Sequence, residues 1–162
     1  MKRALLVAAI TLCAARAAPA QVTAGYPDAD SVADAVGAMR ISAETARVMR
    51  EECIGRVAAL QPEIDSNYLK WRNADGPLIR KADQYWAELV RKQPGLALQV
   101  AGIEPAVRRN LDSMSKAPVQ GTGGQPGPVV LSGYCRQHFA DLASGIWHVR
   151  TPQVYKFLEE LP

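Results

Sequence analysis

The sequence predicts an all-α protein, an irregular bundle of four or five helices closed by one disulfide bond. Three observations carry that expectation. Apolar residues recur at alternating steps of four and three from Ser31 onward, the spacing that places them along one face of an α-helix. No stretch alternates apolar and polar residues for long enough to make a strand, and no internal repeat is present. Two cysteines, Cys53 and Cys135, lie on the apolar seams of two different helical segments.

The first helical segment carries Val32, Val36, Met39, Ala43, Ala46, Cys53, Val57 and Leu60, interrupted only by Arg50. Asp30 and Ser31 suit its N-cap, and Asp34, three residues past Ser31, completes a capping-box-like pattern. Gln61-Pro62 then breaks the pattern, and proline fits the first turn of a new helix, where its missing N–H costs little. The second segment runs through Ile64, Tyr68, Trp71, Leu78, Ala82, Tyr85 and Leu89. Gly76-Pro77 falls inside it and predicts a kink, or failing that a turn, although the stripe keeps its phase across the interruption. Gln93-Pro94-Gly95 ends this segment. A third follows through Leu98, Ile103, Val107, Leu111 and Met114, with its regular turns starting near Pro105 after a short irregular piece.

Residues 117–128, APVQGTGGQPGP, hold four glycines and three prolines and predict a flexible loop. A fourth helix, starting near Ser132, carries the stripe Cys135, Phe139, Leu142, Ile146 and Val149. Thr151-Pro152 reads as the cap and first turn of a last short helix, with Val154, Phe157, Leu158 and Leu161 on its apolar face. Residues 31–162 are therefore expected to form a single helical domain.

The N-terminus has the order of a secretory signal peptide: Lys2 and Arg3, an apolar run from Ala4 to Leu12, and an A-x-A site at Ala18-Pro19-Ala20. Cleavage is expected after Ala20, although Arg16 is an unusual charge so close to the site. Cys13 raises the alternative of a lipid anchor, against which stands Leu12 where a small residue would be expected. Residues 21–30 read as a loose leader. Cleavage would remove three basic residues, lowering the count from 19 to 16 against 16 acidic ones, so a neutral chain of 142 residues would remain. A neutral chain lacks the basic footprint of a nucleic-acid binder, and no later stretch is apolar for long enough to be a transmembrane segment. The expected location is periplasmic or secreted.

Export bears directly on the cysteines. Cys135 and His138 are three residues apart, so they could share a helix face as a metal pair, with Asp141 as a third ligand. His148, the only other histidine, lies ten residues past His138, about 15 Å along a continuous helix, and reaches the same site only if the chain bends, as at Gly145. A structural zinc needs four ligands and a catalytic one three, so no metal is expected. A reactive thiol needs a partner base and a lowered pKa, which the buried seam position of Cys135 opposes. In an oxidising compartment the two seam cysteines are expected to join, closing an interval of 82 residues and holding the N- and C-terminal halves together. No cofactor is expected: the glycines of GTGGQPG lack a P-loop ending, and no C-x-x-C-H is present. His138 and Asp141 remain weak catalytic candidates, and Tyr68, Trp71, Tyr85 and Trp86 a candidate ligand or partner surface.

Cys53, Pro62, Tyr68, Trp71, Arg72 and Asn73, in the run CIGRVAALQPEIDSNYLKWRN, resemble a pattern in uncharacterised small exported helical proteins of proteobacteria. There a cysteine is followed by a proline, then Y-x-x-W-R-x-N or a close variant, and another cysteine lies near the C-terminus. The resemblance covers about 20 residues plus Cys135. It implies exported helical architecture and no catalytic residue. The expected function is a non-enzymatic binding or interaction module of the cell envelope, whose partner is a protein or another envelope component. The alternative is a small-ligand binder or hydrolase-like enzyme with a cleft near His138 and Asp141.

Overall fold

The structure, a computed structural model, describes residues 28–116 and 127–162. The expected signal peptide, Cys13, most of the leader and residues 117–126 of the expected loop lie outside the described residues. The order is α1 (Val32–Arg56), a 3-10 turn (Ala58–Leu60), α2 (Gln61–Lys92), α3 (Gly95–Ala101), α4 (Ile103–Lys116), α5 (Gly127–Ser144), α6 (Ile146–Arg150) and α7 (Pro152–Glu159). Five longer helices, with α3 and α6 as short connectors, make an irregular all-α bundle, and no strand occurs among the described residues.

α1 is the central helix. It packs against α2, α4, α5 and α7, and buries residues on more than one face: Val36, Met39, Ala46 and Cys53 on its main seam, with Val48 and Met49 beside it. A helix surrounded by neighbours needs apolar side chains over most of its circumference. Its start follows the local rule, with Ser31 Oγ accepting from the Asp34 amide at 3.2 Å. The 3-10 turn then folds the chain back, and Pro62 occupies the first turn of α2. Arg50 Nη2–Asp65 Oδ1 at 2.6 Å and Arg40 Nη1–Asp83 Oδ1 at 3.1 Å cross between α1 and α2 in antiparallel order. The interrupting Arg50 of the first stripe is thereby accounted for.

α2 runs unbroken through Pro77. Proline has no N–H to donate to the Asn73 carbonyl, but Asn73 and Pro77 both lie on the exposed side of the helix, where that lost hydrogen bond costs least. Trp71, Ile79 and Ala82 fix the helix to the core on both sides of the interruption.

Several expectations shift at the C-terminal end. Residues 95–101 form α3, where an irregular piece was expected before Pro105. α5 starts at Gly127, five residues before Ser132, with Pro128 in its first turn, where proline is tolerated; buried Leu131 extends the seam toward that end. The seam through Cys135, Phe139 and Leu142 then fails at Val149, which is 80% exposed. Gly145, at φ +71°, ends α5 in the left-handed region and sets α6 in a new direction, so the four-three count stops there.

α7 is capped from a distance. No side-chain cap bond comes from Thr151, whose hydroxyl donates instead to the Trp147 carbonyl at 2.9 Å. Asp28 Oδ1 accepts from the amides of Gln153 at 2.9 Å and Val154 at 3.3 Å, and Ala29 beside it is buried. At the other end Lys81 Nζ, on α2, donates to the carbonyls of Leu161 at 2.6 Å and Glu159 at 3.2 Å. A carboxylate at the N-terminus and an ammonium at the C-terminus match the helix dipole.

Two features bind these helices into one unit. Cys53 and Cys135, both with no solvent exposure, form a disulfide with Cα atoms 5.9 Å apart, joining α1 to α5. Asp75, 2% exposed, joins α2 to α6 and α7: its Oδ2 accepts from Trp71 Nε1 at 2.8 Å and Tyr155 Oη at 2.9 Å, and its Oδ1 lies 2.9 Å from His148 Nε2. Burial, reinforced by the Asp75 charge, pushes the Tyr155 phenol above its ordinary range and keeps it a donor. Removing a buried acceptor leaves each donor to bear its desolvation, about 1–3 kcal/mol apiece. Asp75→Ala is therefore expected to lower urea-unfolding stability by roughly 2–5 kcal/mol, and Tyr155→Phe by about 1 kcal/mol. A loss under about 1 kcal/mol for Asp75→Ala would show that this node holds nothing together.

Candidate functional site

A cleft of about 570 Å³ opens between α1, α4, α5 and α6. Each of α1, α4 and α5 contributes one residue or two per turn. Ile41, Thr45 and Met49 come from α1, and Ile103, Ala106, Val107 and Asn110 from α4. α5 adds Tyr134, Gln137, His138 and Asp141, and α6 closes the end with Trp147 and Arg150. Rows at i, i+4 and i, i+3 on helices face a common space in this way. The volume falls within the range of small-molecule sites, roughly 300–1,000 Å³.

α4 meets its neighbours through a row of ion pairs to α1 as well as through apolar contact with the core. Only Leu111 of α4 is fully buried. Along one edge Arg108 Nε bonds Glu52 at 2.7 Å, Arg56 Nη1 bonds Asp112 at 2.6 Å, and Arg47 reaches Glu104 at 3.9 Å. The Arg108 guanidinium, then Arg56, hold the Glu52 carboxyl below the usual carboxylate range against the opposing pull of burial. Long charged side chains on this edge hold the helices together while the facing apolar side chains of α4 stay only partly covered.

His138 and Asp141, the two weak catalytic candidates, both line the cleft wall. Gln137 Nε2 donates to Asp141 Oδ1 at 2.7 Å. His138 stacks on Tyr134 and meets Phe139 edge-on, with ring centroids 6.4 Å and 5.1 Å away. The residue keeps some exposure, but its Nε2 is enclosed and has no hydrogen-bond partner among the described residues. Burial pushes the imidazole down from 6.5 to about 4, and the nearby Asp141 charge only partly opposes this. His138 is thus uncharged at neutral pH. Arg150 lies over the Trp147 ring at 5.7 Å.

The aromatic residues singled out from the sequence lie elsewhere. Trp71 is in the core with its indole N–H on Asp75. Tyr68 packs against Trp71 and Phe139, beneath the Arg50 guanidinium. Tyr85 and Trp86 are partly buried against the core, and none of the four lines the cleft. The bend at Gly145 does redirect His148, but toward Asp75 and Tyr155, on whose ring it stacks at 3.6 Å. Cys135 is consumed in the disulfide, and no group of three or more potential metal-ligating side chains occurs among the described residues. Asp75 was the member that sequence reasoning missed. It fills the gap in the stripe between Trp71 and Leu78, and an acidic residue in register with an apolar seam was the available signal.

The neutral state of His138 has a consequence for stability. Between pH 6.5 and about 4 the unfolded chain binds a proton at this position that the folded chain excludes, so stability falls as pH drops through that window. Urea unfolding should therefore lose up to about 3 kcal/mol through this group between pH 7 and pH 4, with other carboxylates adding their own dependence. His138→Phe should flatten the profile over that range relative to the parent protein, and parallel profiles would contradict the assignment.

No family model matches the chain, and neither a curated protein nor a solved structure matches it.

Proposed function

We propose that the chain is an exported, non-enzymatic binding protein of the cell envelope, and that the cleft between α1, α4 and α5 holds its ligand. The observation that carries this reading is the cleft itself: a concave space of about 570 Å³, walled mainly by apolar and aromatic side chains, with a small set of polar groups at defined positions. Export is supported by the order of features in residues 1–20 and by the disulfide, a bond suited to oxidising compartments. The resemblance of the Cys53–Asn73 run to small exported helical proteins points the same way. No helix among the described residues is long and apolar enough to cross a membrane.

An enzyme at the same place would draw on His138 and Asp141. Binding is better supported, because Asp141 is engaged by Gln137 and the enclosed Nε2 of His138 has no hydrogen-bond partner among the described residues. A base without a partner to orient it or a nucleophile to activate is poorly placed for acid–base work.

Filling the cleft tests the reading. Val107 lines it from α4, so Val107→Trp should place an indole in the open space. The oxidised mature protein should bind the neutral fluorophore Nile red saturably with one site, and Val107→Trp should weaken that binding by about tenfold or more, the equivalent of 1.4 kcal/mol. The urea midpoint reports whether the variant folds. A folded variant that binds the dye as the parent does would remove the cleft from consideration.

A further inference from the structure

We infer that the ligand of this cleft is an uncharged, largely apolar molecule bearing a hydroxyl group, and that the hydroxyl hydrogen-bonds to the imidazole of His138. The inference rests on the cleft being the binding site and specifies the chemistry it selects.

Charge balance sets the first constraint. Among the described residues, the charged groups lining the cleft are one carboxylate, Asp141, and one guanidinium, Arg150. Their formal charges cancel, Asp141 is already occupied by the Gln137 amide, and Arg150 lies against the Trp147 face. His138 adds no charge at neutral pH, since burial holds its protonated form out of reach. An anionic or cationic ligand would have to leave water for a site with no surplus of the opposite charge, and that transfer is costly. Ile41, Met49, Ile103 and Val107 instead offer apolar surface.

The second constraint is a polar group of the cleft wall that has nothing to bond. The Nε2 of His138 is enclosed and makes no hydrogen bond among the described residues. A buried polar atom in that state carries an unrecovered desolvation cost, which a ligand can relieve. The neutral imidazole presents one N–H donor and one bare nitrogen acceptor. A hydroxyl both donates and accepts, so it matches either tautomer, whereas an ether or ketone matches only the donor nitrogen. A half-turn about χ2, a broad two-fold torsion for an imidazole, moves a nitrogen from one edge of the ring to the other without displacing its bulk. The proposed bond requires this half-turn, because Nε2 is enclosed as it stands.

Three ligands of nearly equal size separate the alternatives in calorimetric titrations of the oxidised mature protein at pH 7: 1-naphthol, which is uncharged there, naphthalene, and the anion 1-naphthoate. The expected order is 1-naphthol tightest, by about tenfold over naphthalene, because a site that hydrogen-bonds a hydroxyl disfavours the analogue without one. His138→Phe keeps the ring and its apolarity while removing both nitrogens. It should bring 1-naphthol to the affinity that the same variant shows for naphthalene. A preference of the parent protein for 1-naphthol below threefold overturns the inference while leaving the cleft as a binding site. The inference is equally overturned if His138→Phe retains the preference, or if 1-naphthoate binds tightest, which would make Arg150 the anchor. Absence of binding by all three, in protein shown to be folded, removes the binding site itself and this inference with it.

Discussion

The Cys53–Cys135 bond is the constraint on which the arrangement depends. It fixes one point of α1, the central helix, to one point of α5, with both sulfur-bearing residues wholly enclosed. Both helices line the cleft, and the covalent link joins them beside it. A loop of 82 residues is long enough for the bond to lower the entropy of the unfolded chain substantially, on the order of 4 kcal/mol by the chain-entropy model. That is comparable with the whole net stability of many small domains, about 5–15 kcal/mol. The same bond removes both thiols from chemistry.

Around that fixed pair the other helices are held by contacts of different kinds, and the difference shapes the molecule. α2 lies along α1 with apolar packing and two crossing ion pairs. α6 and α7 are held through Asp75, whose two oxygens are shared by Trp71, Tyr155 and His148, and α7 is stabilised at its ends by Asp28 and Lys81. α4 has one fully buried anchor, Leu111, and a row of ion pairs to α1. Exposed ion pairs contribute little each, so α4 is the least firmly docked of the long helices. The space beneath it is the cleft, and a helix with a partly covered apolar face is the wall best able to adjust to an occupant.

What the sequence disclosed follows from the range over which each signal acts. The Ser31 cap, Pro62 in a first helical turn and the seams of α1 and α2 depend on residues a few positions apart, and the structure shows them where local spacing puts them, except that Val32 is exposed and Val57 and Leu60 fall beyond the end of α1. The disulfide was legible although 82 residues separate its ends, because an expectation of export leaves two seam cysteines few other fates. Asp75 was overlooked because two of its partners, Tyr155 and His148, lie far along the chain, and only their convergence makes a buried carboxylate tolerable. The cap of α7 was assigned to Thr151 by adjacency, yet Asp28 supplies it from 125 residues away. Val149 was counted into the seam because spacing cannot register a left-handed turn at Gly145. The region near His138 and Asp141 was legible as a possible site, whereas the cleft depends on how α1, α4, α5 and α6 come together. Periodicity tells which face of a helix is apolar and is silent on how completely a neighbour covers it.

The dependence on the disulfide is tested most directly by equilibrium urea unfolding of the oxidised protein beside its Cys53→Ala/Cys135→Ala variant. The expected result is a loss of about 4 kcal/mol, with the variant at or near its unfolding transition in dilute buffer. A variant within about 1 kcal/mol of the oxidised protein would contradict that dependence, and would mean that packing alone holds α1 and α5 at their distance.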